Sequence, residues 1–287
     1  MRLAIATCNA VPAWECDDRP FHADLAERGI EAAQVPWEEA GADWGAFDAC
    51  LIRTTWNYQE HREDFVAWAE RVAAKTALWN PLPVVRWNTH KSYLRDLDGR
   101  GVPVIPTVWL PPGRRADVRA IMSERGWKRG FLKPAVGATA RETLRFEAGD
   151  PAAQAHADRM TAREEMQLQP YLSSVETEGE LSAIFIDGER THAVRKIPVA
   201  GDYRVQDDFG AKDGPVDLSK EEAALARRVI DAAPPGLLYG RVDFLRDDAG
   251  ALRVTELELV EPSLFFRHAR HAAARLADAI LAKFRPR

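Results

Sequence analysis

The sequence predicts an α/β fold in its first third that passes into mixed α+β lobes. Three observations predict it. Apolar strand-like runs alternate with amphipathic helices up to about residue 75. A proline-broken stretch, WNPLPVVRWN, follows and marks a lobe boundary. Late in the chain, LYGRVDFL and RVTELELVEPSLFF flank a short turn, which reads as a hairpin of two long strands.

The elements follow in order. RLAIATC reads as a buried strand, PFHADLAERG as a helix stopped at Gly29, EAAQVPW as a second strand and FDACLIRTTW as a third. HREDFVAWAERVAAK is a helix with Phe65, Trp68, Ala69 and Val72 as its apolar stripe. Such alternation implies a parallel sheet covered by helices, with ligands beyond the carboxyl ends of the strands. CNAVPAW and RTTWNY lie there, and neither is a GxGxxG loop, which argues against a dinucleotide binder. Arg53, Thr54 and Thr55 offer a cation and two hydroxyls suited to a small anionic or zwitterionic ligand, or else a surface salt bridge and a turn.

In the middle, THKSYLRDLDGRGVPVIPTVWL reads as a helix opening near Thr89, ending at 99–101 and followed by a strand. Lys91 then falls in the first turn, where a cation opposes the helix dipole. ADVRAIMSERG is a helix and Phe131 to Lys133 ends a strand. The small-residue loop PAVGATARET has backbone amides free to fold over phosphate, a weak signal alone that gains from Lys133 beside it. There is no GxxxxGK[ST].

In the hairpin, strand alternation sets Arg241 and Asp243 on one face against Val242 and Phe244. Glu256 and Glu258 share a face opposite Leu257 and Leu259. One such strand alone could be half exposed. The facing strand adds Asp243, and three crowded carboxylates repel unless a cation sits between them. Hard oxygen ligands without His or Cys point to magnesium, which in proteins usually accompanies substrate phosphates. Upstream, LSAIFIDG, a turn and THAVRKI put His192, Val194 and Lys196 on one face and Arg195 on the other. His192 reads as structural or substrate-orienting. RHARHAAARLADAILAKF is a closing helix.

Composition bounds the partners. The chain has 287 residues, 46% apolar and 29% charged, the mix of a soluble globular protein with two or three lobes. A net charge of -5 argues against nucleic acid, and no apolar run approaches a membrane span. The N-terminus lacks a signal-peptide cleavage pattern. Three cysteines without CxxC (Cys8, Cys16, Cys50) argue against a disulfide framework or zinc, and for a cytoplasmic location. Cys8 and Cys50 read as core. Trp14, Trp44 and Trp109 are candidates for a dimer surface, so monomer and homodimer both stay open.

A lysine before GVPVIPT, a second lysine in a KP strand before a small-residue loop, QPYL, and Asp243 with Glu256 and Glu258 together resemble the ATP-grasp superfamily. The likeness runs from about Asn80 onward and falls in the glutathione-synthetase and ribosomal S6 modification branch, with an N-terminal Rossmann-like domain. RTTWNY, HAVRKIP, GDYRVQDDFG and ELELVEPSLFF resemble the O-ureido-serine cyclo-ligase group, which closes the cycloserine ring. The resemblance implies three domains: 1–88 on the substrate side, 89–168 as central ATP-grasp lobe and 169–287 as C-terminal lobe with the metal site. It implies that Lys91 and Lys133 contact ATP and that 135–143, with Gly137 and Thr139, is the mobile phosphate loop. Gln169, Pro170, Tyr171 and Leu172 match the adenine-side hinge, and Glu180 the ribose acid. Asp243, Glu256 and Glu258 match the ligands of magnesium, two ions by family pattern, replaceable by manganese. Lys196 and Arg204 match the basic residues at the γ-phosphate or activated carboxylate, and Arg241 points into the same space. The family often has Asn at Glu258, and its arginine two residues past the ribose acid is Ser182 here. The implied activity is an ATP-dependent ligase acting through an acyl phosphate, intramolecular on an O-ureido-serine-like substrate. An intermolecular carboxylate–amine ligase and a non-catalytic nucleotide-binding protein are the alternatives.

Overall fold

A computed structural model describes residues 1–11 and 15–284. Trp14, with the end of the CNAVPAW segment, lies outside the described residues. The first sheet is parallel, ordered β2-β1-β3-β4, from β1 (Arg2–Thr7), β2 (Glu31–Pro36), β3 (Ala49–Thr54) and β4 (Ala77–Trp79). Helices α1 (Arg19–Glu27) and α2 (Arg62–Ala73) join its strands. Phe65, Trp68, Ala69 and Val72 are buried, as the helical stripe requires.

Two expectations change here. The proline-broken connection is instead β4 followed by helix α3 (Leu82–Asn88), because proline is tolerated in a helix's first turn. The helix expected from Thr89 starts later, as α4 (Tyr93–Gly99). Lys91 occupies the break between the two helices. Its backbone N–H donates to the Ala135 carbonyl at 2.7 Å, so it does not continue a helical ladder.

The second sheet is antiparallel, ordered β5-β8-β6-β7, from β5 (Val108–Leu110), β6 (Arg129–Pro134), β7 (Leu144–Glu147) and β8 (Met166–Pro170). Helices α5 (Val118–Arg125) and α6 (Pro151–Thr161) cover it. Its core, with Leu110, Met122, Leu132, Met160 and Leu168, is its own. After the short helix α7 (Ser174–Thr177) comes a third antiparallel sheet, ordered β11-β10-β9-β12-β13. It comprises β9 (Glu180–Ile186), β10 (Glu189–Ile197), β11 (Lys212–Pro215), β12 (Tyr239–Arg246) and β13 (Leu252–Glu258). Helices α8 (Lys220–Asp231) and α9 (Arg270–Phe284) pack on it. A capping box between Ser219 and Glu222 opens α8.

The core does not respect the expected boundary at residue 88. Tyr93, Leu94 and Leu97 of α4 pack with Leu181, Phe244 and Leu257 of the third sheet, not with the central lobe. Likewise Leu3, Ile5 and Leu51 of the first sheet share a cluster with Ile184, Tyr239 and Leu276. Two buried asparagines reinforce that join. Asn80 donates to the carbonyls of Tyr239 and Leu259, both at 2.8 Å, and accepts from Leu238 N–H at 2.7 Å. Asn88 donates to the Leu257 carbonyl and accepts from Leu259 N–H. Side chains of this kind satisfy backbone groups that burial would otherwise leave unpaired.

Cys8 and Cys50 are buried in the N-terminal core. Trp44 does not offer a dimer surface: it is 6% exposed and meets Trp68 edge-on. Trp109 lies under the Arg95 guanidinium. Among the described residues no helix is long and apolar enough to cross a membrane.

Candidate active site

The second and third sheets face one another across a cleft of about 370 Å³. The hairpin supplies its floor. Asp243 pairs in register with Glu256, and Arg241 with Glu258, so all four side chains lie on one face. A register shift falls just after Asp243, a bulge of the kind that re-aims side chains beside active sites.

The carboxylates and cations interlock. Glu256 lies 3.2 Å from Lys133 Nζ and 3.4 Å from Lys91 Nζ. Asp243 takes Arg241 at 2.9 Å, Lys196 at 3.3 Å and the Ser182 hydroxyl at 2.5 Å. Ser182 thus holds Asp243 from the next strand. Arg241 also bonds Glu258 and the Ser263 carbonyl. Lys196 reaches Glu180 at 2.6 Å, and Glu180 accepts from Thr255 at 2.8 Å.

The titration directions follow from this crowding. Burial raises Asp243 and Glu256, but the adjacent cations (Arg241 and Lys196; Lys91 and Lys133) outweigh it and hold both below their ordinary values. Burial pushes Glu258 up to about 7; Arg241 opposes this, while Asp243 and Glu256 add to it. Glu261, three residues on, is pushed up to about 8 by burial and then by Glu258. Burial lowers Lys133, against the pull of Glu256. For Lys196 burial is outweighed by Asp243 and Glu180, which raise it.

Lys91 Nζ donates to the Gly137 carbonyl at 2.8 Å, tying loop 135–143 to the cleft. Thr139, Ala140 and Glu142 of that loop have φ of 49°, 54° and 54°, a left-handed conformation that non-glycine residues hold only under constraint. The constraints are visible. Glu142 pairs with Arg159 at 2.7 Å, its carbonyl meets His156 Nε2, and the Thr143 hydroxyl lies 2.8 Å from that of Tyr203. At the other end, Ile105, Leu172, Val175 and Leu245 form an apolar slot, beside which Gln169 donates to Thr107.

Lys91, Lys133, Gly137, Thr139, Gln169, Pro170, Tyr171, Leu172, Glu180, Lys196, Arg204, Arg241, Asp243, Glu256 and Glu258 all line this one cleft. Arg204 does so as a matched charge: Asp202 chelates it, and it stacks over Phe209 at 3.9 Å. His192 holds the Leu264 carbonyl through Nε2 at 3.0 Å, a structural contact.

Arg53, Thr54 and Thr55 are the correction: none of them lines the cleft. Arg53 is 2% exposed, its guanidinium taken by Asp18 at 2.7 Å and by the Pro262 carbonyl at 3.1 Å. The Thr54 hydroxyl is bonded to that of Thr7, and Thr55 is buried. A cation at a strand end is open to substrate only if no buried anion claims it first. The claimant, 35 residues earlier in sequence, could not be seen by spacing. Sequence reasoning also missed Trp56, Tyr58 and Glu261, which do line the cleft. The acid in VEPS just after ELE was the available signal for Glu261.

Magnesium needs several hard oxygen donors brought to one point. Among the described residues, the one trio whose carboxylate oxygens all come within 4.8 Å of each other is Glu15, Asp17 and Asp18. That trio joins lobes: Asp17 pairs with Arg267, Asp18 with Arg53, and Glu15 accepts from the Asp17 and Asp18 amides. Asp243, Glu256 and Glu258 share a face and a cleft, but Glu256 is drawn to Lys91 and Lys133 while Asp243 and Glu258 share Arg241. Their chemistry still fits a hard divalent ion, because three carboxylates on one face of one cleft offer only oxygen donors.

A parallel-sheet lobe followed by two antiparallel lobes that grip a cation- and carboxylate-lined cleft is the architecture of the ATP-grasp ligases. The chain belongs to that family: residues 110–263 match the prokaryotic glutathione synthetase ATP-grasp domain, and residues 3–80 match the N-terminal domain of D-cycloserine synthetase DcsG. It is 34% identical over 275 residues to the cycloserine biosynthesis protein DcsG of Streptomyces lavendulae, covering 90% of each chain. The crystal structure of D-cycloserine synthetase DcsG superposes with a TM-score of 0.90 at 32% identity, over 99% of each chain. ATP-grasp ligase PsnB, complexed with minimal precursor, Mg and ADP, shares the fold at TM-score 0.66 and 20% identity, covering 98% of this chain and 97% of that one. The protein is therefore an ATP-dependent C–N ligase.

Proposed function

We propose that the protein activates the carboxylate of a small amino-acid derivative as an acyl phosphate and closes it into a ring through a nitrogen of the same molecule, on a substrate of the O-ureido-serine type. The observation that carries the reading is the hairpin face, where Arg241, Lys196, Lys133 and Lys91 converge with Asp243, Glu256 and Glu258 in one cleft. Likeness to DcsG along 90% of both chains supports the ring-closing form.

ATP lies with its base in the slot of Ile105, Leu172, Val175 and Leu245, and its phosphates under loop 135–143. Asp243, Glu256 and Glu258 would hold magnesium, two ions by family pattern, which supplies charge neutralisation to the phosphates. A substrate carboxylate oxygen attacks the γ-phosphorus and ADP leaves. The nitrogen then attacks the acyl carbon, phosphate leaves with the C–O bonding pair, and the nitrogen loses a proton. The chain's task is to keep two anions together, and the fixed charges of Lys196 and Arg241 do this with no covalent step. The phosphate loop, pinned by Lys91 and by Thr143 to Tyr203, shields the acyl phosphate from water.

The test is ADP release and product mass with O-ureido-serine. A ring product and loss of turnover in Lys133→Ala and Glu256→Ala are expected. A mass showing two substrates joined would replace ring closure with intermolecular ligation, and undiminished turnover in both variants would overturn the site.

A further inference from the structure

The RTTWNY segment does reach the cleft, through its later residues. Trp56 and Tyr58 line it while Arg53, Thr54 and Thr55 turn inward. The Trp56 indole N–H donates to the Glu261 carbonyl at 3.0 Å, which fixes the ring beside a residue that also lines the cleft. Tyr58 is held in place by stacking on Phe65 at 5.0 Å. Glu261 differs from its neighbours in one respect. Glu180, Asp243, Glu256 and Glu258 each have a lysine or arginine against them. Among the described residues Glu261 has no ion pair. Arg241 cannot supply one without releasing Asp243, Glu258 and the Ser263 carbonyl, and Arg267 is committed to Asp17, Asp207 and Asp213.

A carboxylate next to other carboxylates rejects anions. Beside two aromatic rings it suits an organic cation, since ring faces attract ammonium groups. We infer that Glu261, with Trp56 and Tyr58, forms the subsite for a primary ammonium group of the substrate. The inference rests on the ligase reading and refines it. The substrate carries a free amine directed at Glu261 and presents its carboxylate to Lys196 and Arg241. N-acylated and amine-free analogues lack the group that the subsite takes.

The experiment compares ADP release with O-ureido-serine, its N-acetyl derivative and 3-(ureidooxy)propanoate in the wild type, Glu261→Gln and Glu261→Asp. A charge-assisted contact of this kind implies a preference of about 10–100-fold in kcat/KM for the amine-bearing compound. Glu261→Gln should lose that preference through a raised KM, with KM for ATP unchanged as the check on folding. Glu261→Asp, which keeps the charge, should retain part of it. An intact preference in Glu261→Gln overturns the subsite alone. No ADP release from the wild type with O-ureido-serine overturns the proposed ring closure on that substrate, and the subsite with it.

Discussion

Replacing Lys133 with methionine removes one charge and little volume. Lys133 sits at the end of β6, 7% exposed, with Nζ 3.2 Å from Glu256. At an effective dielectric near 20 such a pair attracts by about 5 kcal/mol. Much of that is offset by the cost of stripping water from the ammonium. Lys91 still neutralises Glu256 in the variant, at 3.4 Å. The net stability loss should therefore be about 1–2 kcal/mol, well under the ~3–5 kcal/mol for a buried charge left alone. The catalytic loss should be larger, about 10²–10³ in kcat, as when one preorganised electrostatic donor is removed. The pH dependence separates the two effects. Lys91 and Lys133 hold Glu256 below its ordinary value, so its contribution is present above the unfolded carboxylate pKa of about 4.3 and is lost as pH falls through the lower folded value. The stability gap between wild type and Lys133→Met should thus close in acid. Steady-state ADP release and melting curves from neutrality downward measure both, and a variant with wild-type kcat at saturating ATP would refute the assignment.

Three further outcomes are expected. Asn80→Ala leaves three buried backbone groups of residues 238, 239 and 259 unpaired and should cost about 3–5 kcal/mol in denaturant unfolding. Arg53→Met should lower stability by about 3–5 kcal/mol, with recovery on adding Asp18→Asn and no change in substrate KM in the protein that folds; a raised KM would return Arg53 to the substrate. Burial lowers His192 to about 4, so the unfolded state takes up a proton from about pH 6.5 downward while the folded state resists. Wild-type stability should fall over that window, by about 2 kcal/mol after allowing for its partial exposure, and His192→Gln should flatten the fall in melting temperature.

Alternation made the hairpin legible. Two residues per period fixed which side chains share a face, and the turn at 247–250 fixed which strand meets which. Arg241, Asp243, Glu256 and Glu258 could therefore be grouped from the sequence. Lys91 and Lys133 were legible as residues but not as joint partners of Glu256, because that contact spans more than 120 positions. The same limit hid the Asp18–Arg53 pair and the two asparagine clasps. Helices α6 and α8 went unread for a different reason. Small alanines dilute the apolar stripe of both, although the Ser219 and Glu222 pair that starts α8 was in view.

The shared apolar core has a mechanical consequence. The first and third sheets are welded by Leu3, Ile5, Ile184, Tyr239 and Leu276 and riveted by Asn80 and Asn88, so they form one anvil. The central sheet keeps a separate core; its chain joins the anvil at two points, at Val104 and Ile105 beside Val254 and just past Pro170, and side-chain contacts such as Lys91 to Gly137 and Thr143 to Tyr203 close the mouth between them. Any gape of the mouth has to be carried by this single jaw. Lys133 and loop 135–143 ride on the jaw, whereas Lys91, Glu256 and Glu261 stay on the anvil. An opening there would part Lys133 from Lys91 and Glu256 and leave Trp56 and Glu261 together.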